Sequence, residues 1–288
     1  MNSPAITRRE FVASFVAAAT IPPLSSFASV PGVDVGLELY SLRAGMKTDV
    51  PGTLSRVRQM GFRHVEVPAF YGLSAAQFRR ALDAVGLKAT ALVAPYDDLQ
   101  KDIEKVQHDL ATLGARWAIL PWIPHGDRFE RADVERSSKD MNAWAATLSA
   151  SGFRFAYHPH GYEFYPAPEG TLFDLLAAST DSGTVKFQLD TFWIVWPGQD
   201  CVKLMRLYPG RFRLLRLKDL RKGVPTGDLH GTAPEADSVA LGEGVVPFRE
   251  ILTLAKQQGC ERYYIEDESS DAAAQIPRSL RFLAALHF

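Results

Sequence analysis

Cysteine is scarce: the chain holds only Cys201 and Cys260. Two thiols cannot build a disulfide framework. Cys201 falls in a helical pattern and Cys260 just before a strand, so both are expected to be unpaired. Neither has a neighbouring histidine pattern that would mark a nucleophile. An excess of either charge is also missing, with 32 Lys and Arg against 33 Asp and Glu. That balance excludes the basic stripe of a nucleic-acid binder and the acidic tail of a solvating segment. After the first 28 residues no stretch approaches the ~18 apolar residues of a membrane span. Low-complexity linkers are absent as well.

The first 28 residues differ from the rest. Thr7-Arg8-Arg9-Glu10-Phe11-Val12 precedes an apolar run at Phe15–Ala19, then Pro22, Pro23 and a small-residue end at Ser26-Phe27-Ala28. A charged start, a short apolar stretch and an A-x-A-like site form a removable leader of the twin-arginine type. Residues 1–28 are expected to be that leader, and 29–288 a periplasmic domain with no membrane contact after its removal.

The remainder alternates short apolar strands with amphipathic helices. Strands are expected at 35–39, 64–67, 88–93, 115–120, 153–158, 185–190, 212–217 and 263–266. They lack in/out alternation, as strands covered on both faces do. Helical patterns at 53–60, 74–85, 96–113 and 134–150 each end at or next to a glycine, Gly61, Gly86, Gly114 and Gly152, the usual stop. Four more follow at 172–178, 201–208, 247–258 and 274–286. Eight β-then-α units predict an α/β fold, a single (β/α)8 TIM barrel. The alternative, a doubly wound open sheet, would usually show a glycine-rich phosphate turn after its first strand. Here that strand runs into Glu38-Leu39-Tyr40-Ser41-Leu42-Arg43. The longest irregular segment, 221–244, follows the seventh strand and is expected over the barrel mouth.

Barrel chemistry sits at the C-terminal ends of the strands. Those ends are rich in ionisable groups: Glu38, Glu66, His125, His158, His160, Asp190, Arg216, Lys218, Asp219, Glu266, Asp267 and Glu268. Burying such groups costs several kcal/mol unless they are paired or bind an ion. Residues two apart share a face, so His158 with His160, Arg216 with Lys218, and Glu266 with Glu268 project together. If His158, Asp190 and Glu266 converge, one imidazole and two carboxylates suit Mn, Fe, Co or Zn as a divalent ion. For Asp190 alone, a turn cap is the plainer role. Glu38 is expected either to meet a sugar hydroxyl or to pair with Arg43, and Lys218 either to meet an oxyanion or to pair with Asp219 or Glu66. Trp122, Phe192, Trp193 and Trp196 are rim aromatics, of which Trp196 is expected to pack in the core. Glu163 is expected to support His160.

VGLELYSLR, YHPHGYEF, VKFQLDTFWIVWPGQD, YPGRFRLLRLKDLRKG, ALGEGVVPF and YYIEDES together resemble the sugar phosphate isomerase/epimerase family, the xylose isomerase-like TIM barrels. The resemblance implies a divalent-metal site with one ligand each from strands five to eight: His158, Asp190, the residue at 216 and Glu266. A histidine, in a His-x-Lys-Asp pattern, is implied at 216, and this chain has Arg216, which has no lone pair for a metal. Two readings follow. Either His158, Asp190 and Glu266 hold the metal as an open site while Arg216 turns away toward Asp219 or Glu268, or the guanidinium fills the metal's place beside Asp190 or Glu266.

The implied reaction is proton abstraction next to a carbonyl through an enediolate. Glu266 is the expected base, His158 or His160 the second proton carrier, and Lys218 a group for the oxyanion. Glu66, Trp122, Trp193, Arg216 and Glu268 are expected at the substrate. The expected partner is an unphosphorylated sugar or keto-sugar, handled by an isomerase, an epimerase or, with loss of a hydroxyl, a lyase or dehydratase. A homo-oligomer is compatible with the chain. The competing reading is a non-catalytic or metal-independent sugar-binding barrel, because Arg216 stands at a ligand position.

Overall fold

The computed structural model describes residues 29–30, 33–168 and 170–288. The Arg8-Arg9 segment lies outside the described residues. Eight parallel strands close on themselves: β1 Val33–Glu38, β2 His64–Val67, β3 Lys88–Val93, β4 Trp117–Leu120, β5 Arg154–Tyr157, β6 Val185–Asp190, β7 Phe212–Leu217 and β8 Arg262–Ile265. Each pairs with the next in chain order and β8 returns to β1. The result is a (β/α)8 barrel.

Helices cover the outside of the strands, and the main apolar core lies between the two layers. A separate, smaller cluster fills the barrel itself: Ala91, Trp117, Ile119, Ala156, Leu214 and Tyr264. Gly36 makes room for it, since a Cβ there would stand 2.9 Å from the Tyr264 ring and 2.8 Å from the His64 carbonyl. The Tyr264 hydroxyl and Thr90 Oγ1 are 2.7 Å apart, which satisfies both polar atoms inside the barrel.

Gly86 and Gly114 end their helices in the left-handed conformation, as the expected stops require. The helical pattern at 96–113 is in fact two helices, Tyr96–Lys101 and Ile103–Leu113. Asp102 leaves helical geometry to accept a hydrogen bond from the Lys105 N–H, capping the second. Cys201 and Cys260 are both free thiols. Among the described residues no helix is long and apolar enough to cross a membrane.

The 221–244 segment is ordered at its base. Asp219–Leu220 pairs antiparallel with Ser238–Val239. The Asp219 carboxylate accepts the backbone N–H groups of Gly242, Gly244 and Val246 at 2.8, 2.9 and 3.0 Å. The tip thereby turns back over the C-terminal mouth.

Candidate functional site

Above the apolar filling the same inward faces become polar. Leu214 is followed two residues on by Arg216 and then Lys218, Tyr264 by Glu266 and Glu268, and Ala156 by His158 and His160. Register sets Glu38 directly beside Glu66 and Asp190 directly beside Arg216. Two carboxylates side by side repel. The cation that offsets them comes from across the barrel.

Arg216 donates through Nε to Glu66 Oε1 at 2.8 Å, donates to the same oxygen through Nη2, and donates through Nη1 to Glu266 Oε2 at 3.2 Å. Gln188 Nε2 donates to the other Glu66 oxygen at 2.6 Å. Arg216 therefore does not turn away to Asp219 or Glu268, and among the described residues no hydrogen bond joins it to Asp190. Its main partner is Glu66, which neither expectation named. Asp219 is committed to the loop base.

Lys218, 1 % exposed at its side chain, donates to Glu268 Oε1 at 2.7 Å and lies 3.9 Å from Asp190 Oδ2 and 4.0 Å from Glu266 Oε2. It rests against the Phe192 and Trp193 rings. The expected pairings with Asp219 or Glu66 are thus replaced by Glu268. The surrounding carboxylates raise the Lys218 pKa against the effect of burial, so it stays charged.

Asp190 does what a strand-end aspartate does alone: Oδ1 caps the helix Thr191–Val195 through the Phe192 and Trp193 N–H groups. Its Oδ2 is buried with no hydrogen-bond partner. Glu38 caps the next turn through Tyr40 N at 2.7 Å, and its Oε1 is likewise buried without a partner. The expected Glu38–Arg43 pair does not form. Arg43 instead donates to Glu235 and to the Glu268 carbonyl, tying the long loop to the β8 end of the rim.

A cavity of about 440 Å³ opens over this layer, lined by Glu38, Tyr40, His160, Trp193, Arg216, Glu266, Glu268 and, from the long loop, Gly231–Ala233. Glu66, Asp190, His158, Lys218 and Trp122 are not among its lining residues. Trp122 packs instead on His125, His160 and Tyr162. Trp196 stacks on Phe192, as expected of a packing residue. A larger cavity of about 520 Å³ lies to one side, past Arg43, and carries none of the inward-facing rim carboxylates.

Burial raises the Glu266 carboxyl to about 7, Glu268 and Asp190 adding to the rise against the pull of Lys218 and Arg216. Burial pushes the Glu268 carboxyl up, but the Lys218 ammonium, His160 and Glu266 together bring it down to about 2. Burial, then the nearby Glu266, hold Glu38 well above the usual carboxylate range. The histidines depart from expectation. Burial lowers His160 to about 3 and, with the nearby Arg216 charge, holds His158 well below the usual imidazole range, so both are neutral imidazoles rather than groups titrating near neutrality. Glu163 supports His160 through the backbone: its carboxylate accepts the His160 and Gly161 N–H groups and the Tyr157 hydroxyl.

The expected ligand set fails a chemical test. His158 leaves both ring nitrogens without a partner, as a ligand would. Yet among the described residues no group of three His, Cys, Asp or Glu side chains converges tightly enough to hold an ion. Glu266 and Asp190 already face Arg216 and Lys218. Two unit charges 4 Å apart interact by about 4 kcal/mol at an effective dielectric of roughly 20, and a divalent ion would be repelled by both cations. The residues present do not fit a metal.

The sequence reading missed Gln188. It stands two residues before Asp190 on the same inward face, and that spacing was the available signal.

A profile of the xylose isomerase-like TIM barrel family matches residues 54–286. An inosose dehydratase from Clostridium beijerinckii is 20% identical over 261 residues, covering 81% of this chain and 86% of that protein. A crystal structure of a sugar phosphate isomerase/epimerase from Parabacteroides distasonis superposes with a TM-score of 0.73 at 24% identity, over 92% of this chain and 99% of that one. A structure of the IOLI protein with a binding zinc atom superposes with a TM-score of 0.65 at 13% identity, over 87% and 94%. At these identities the structural likenesses show the fold alone.

Proposed function

The chain belongs to the xylose isomerase-like TIM barrel family, and on that premise we propose that it is an enzyme that moves the proton next to the carbonyl of a neutral sugar or keto-sugar. The observation that carries this reading is the Glu266–Glu268 pair. Two carboxyls on one cavity wall, with pKa values of about 7 and about 2, have environments that push them apart, as an acid–base site requires. Glu266 exchanges a proton at neutral pH, and Glu268 stays ionised and holds Lys218.

The steps follow from the walls. Glu266 takes the α-proton, the C–H electron pair becomes a C=C bond, and the carbonyl π pair moves onto oxygen. The negative charge forms beside the Arg216 guanidinium, with Lys218 behind it; fixed positive groups that need no reorganisation lower such a barrier. Return of the proton from Glu266 to the neighbouring carbon, with the hydroxyl proton passing to the former carbonyl oxygen, isomerises. Epimerisation takes its proton from water on the opposite face, after which Glu266 releases its own proton to solvent. Departure of a β-hydroxyl as water instead gives dehydration, the reaction in the name of the Clostridium relative. All three share the first step.

Charge supports an unphosphorylated substrate. The lining holds Glu38, Glu266 and Glu268, and its one cation, Arg216, is already paired with two carboxylates. Trp193 and Tyr40 line the cavity and supply aromatic contact area beside a sugar. Export to the periplasm, resting on the Arg8-Arg9 segment, is part of the same proposal and agrees with a free sugar.

The test is proton exchange. Free ketoses, aldoses and inososes in D2O are followed by NMR for loss of the α-proton signal, with Glu266→Gln as the control. The reading predicts exchange with at least one neutral sugar, abolished in the variant. No exchange across the panel, or a preference for phosphorylated sugars, overturns it.

A further inference from the structure

We propose that Arg216 is a built-in replacement for a catalytic divalent metal, aimed by Glu66 and Gln188, and that this chain does its chemistry metal-free.

The argument begins with the donors. His158 just past β5, Asp190 at the end of β6 and Glu266 just past β8 each present buried oxygen or nitrogen toward the same polar layer, and His158 and Asp190 retain atoms with no hydrogen-bond partner. The strand between β6 and β8 supplies Arg216, directly beside Asp190 in register and 3.2 Å from Glu266 Oε2. A guanidinium has no lone pair and does not lose its proton in a protein. It cannot be a ligand, but it brings to this place the positive charge that a ligand set would otherwise collect.

Its orientation is fixed as a metal's would be, by surrounding carboxylates. Nε and Nη2 are both held by Glu66 Oε1, and the second Glu66 oxygen is held by Gln188. Of the five N–H donors of an arginine, three are spent on Glu66 and Glu266. The guanidinium still lines the cavity. One N–H remains on each of Nη1 and Nη2. Paired N–H groups of a guanidinium match two neighbouring oxygens, and an enediolate carries two oxygens on adjacent carbons. The substrate class this selects is an α-hydroxy ketone or aldehyde whose two oxygens can lie on one side. Glu66 is in this scheme a positioning residue, since it acts only through Arg216. The catalytic half rests on the enolisation reading above; the metal half stands apart from it.

The test uses the full chain. Wild type, Arg216→His and Arg216→Lys are stripped with EDTA, re-equilibrated with Zn²⁺, Mn²⁺ or Co²⁺, freed of excess metal and measured for metal per chain by mass spectrometry. Co²⁺ absorbance provides a spectroscopic signature of real coordination. Wild type and Arg216→Lys should stay empty, and Arg216→His should take up close to one ion per chain with visible Co²⁺ bands. Should Arg216→His fail to fold by circular dichroism, Arg216→Asn removes the charge in its stead and should fill likewise. A wild type that retains one ion per chain overturns the proposal, as does a folded, uncharged variant that stays empty. With a substrate in hand, wild-type exchange should be insensitive to EDTA and Arg216→Lys should lose about 10²-fold in rate, the loss typical of one oxyanion donor. Glu66→Gln should lower kcat with little change in KM, where a merely structural role would lower only the melting temperature. Metal content needs no substrate, so failure of the sugar panel and failure of this proposal are separate results.

Discussion

Arg216 and Glu66 stand on strands three apart around the barrel, separated by 150 residues of chain, yet two guanidinium nitrogens share one Glu66 oxygen. Both side chains are nearly sealed from solvent, at 7% and 0% exposure. Removing one partner leaves the other charge buried. Arg216→Met is therefore expected to lower unfolding free energy by about 3–5 kcal/mol, whereas Arg216→Met with Glu66→Met together should cost much less. Urea unfolding of Arg216→Met, Glu66→Met and the double variant measures this, and additive losses would show that the pair is not coupled.

The Glu266 carboxyl, raised to about 7, predicts a pH profile. A base must be ionised, so kcat/KM for proton exchange should rise through pH 7 and then level. The signs of its neighbours are fixed. Glu268 raises the Glu266 pKa and Lys218 lowers it. Glu268→Gln should move the rise to lower pH, and Lys218→Met should move it to higher pH. Shifts in the reverse direction would remove Glu266 as the titrating group.

Asp219 carries the base of the mouth loop on three backbone N–H groups. In Asp219→Asn the amide NH2 replaces one of the two accepting oxygens, so it faces either the Gly242 and Gly244 N–H groups or that of Val246. A loss of about 1–3 kcal/mol is expected for each N–H left unpaired. Hydrogen exchange should show protection lost at Gly242, Gly244 and Val246 while the barrel strands keep theirs. Uniform loss across the strands would mean that Asp219 holds the barrel and not the loop.

Gly231 has φ +70°, and a Cβ there would meet the Tyr162 ring at 2.8 Å and the Trp122 ring at 3.1 Å. Both rings belong to the packed cluster around His125 and Phe129, so the loop is expected to yield rather than the rings. Gly231→Ala should weaken sugar binding by calorimetric titration, since residues 231–233 line the cavity, and leave the melting temperature nearly unchanged. A large fall in melting temperature with affinity intact would place the strain in the core.

The barrel strands were legible because each is a short apolar run, four of them following a glycine that stops the preceding helix, and a buried strand needs nothing beyond that. Asp102 was legible in principle: an aspartate three residues before the N–H it accepts is a local capping signal, hidden only by the apolar spacing that continues through it. The same-face pairs 214/216/218 and 264/266/268 could also be read, because a strand's period is two. The partners of those faces could not. Nothing near Arg216 in sequence points to Glu66, and nothing near Lys218 points to Glu268. His158 and His160 carried the residue type of a proton carrier, but titration is set by burial, which the sequence leaves open.

The sequence by itself determined the eight units, their parallel order and the ring of ionisable groups at the strand ends, because periodicity and caps act over a few residues. Only the tertiary structure decided which charges meet. Closing the sheet brings β2 and β6 to opposite sides of one small polar layer. There Glu66 receives both Gln188 and Arg216, and the cation at the centre of that layer is the arginine. Electrostatics depends on distance through space and on burial, and neither is defined until the barrel closes.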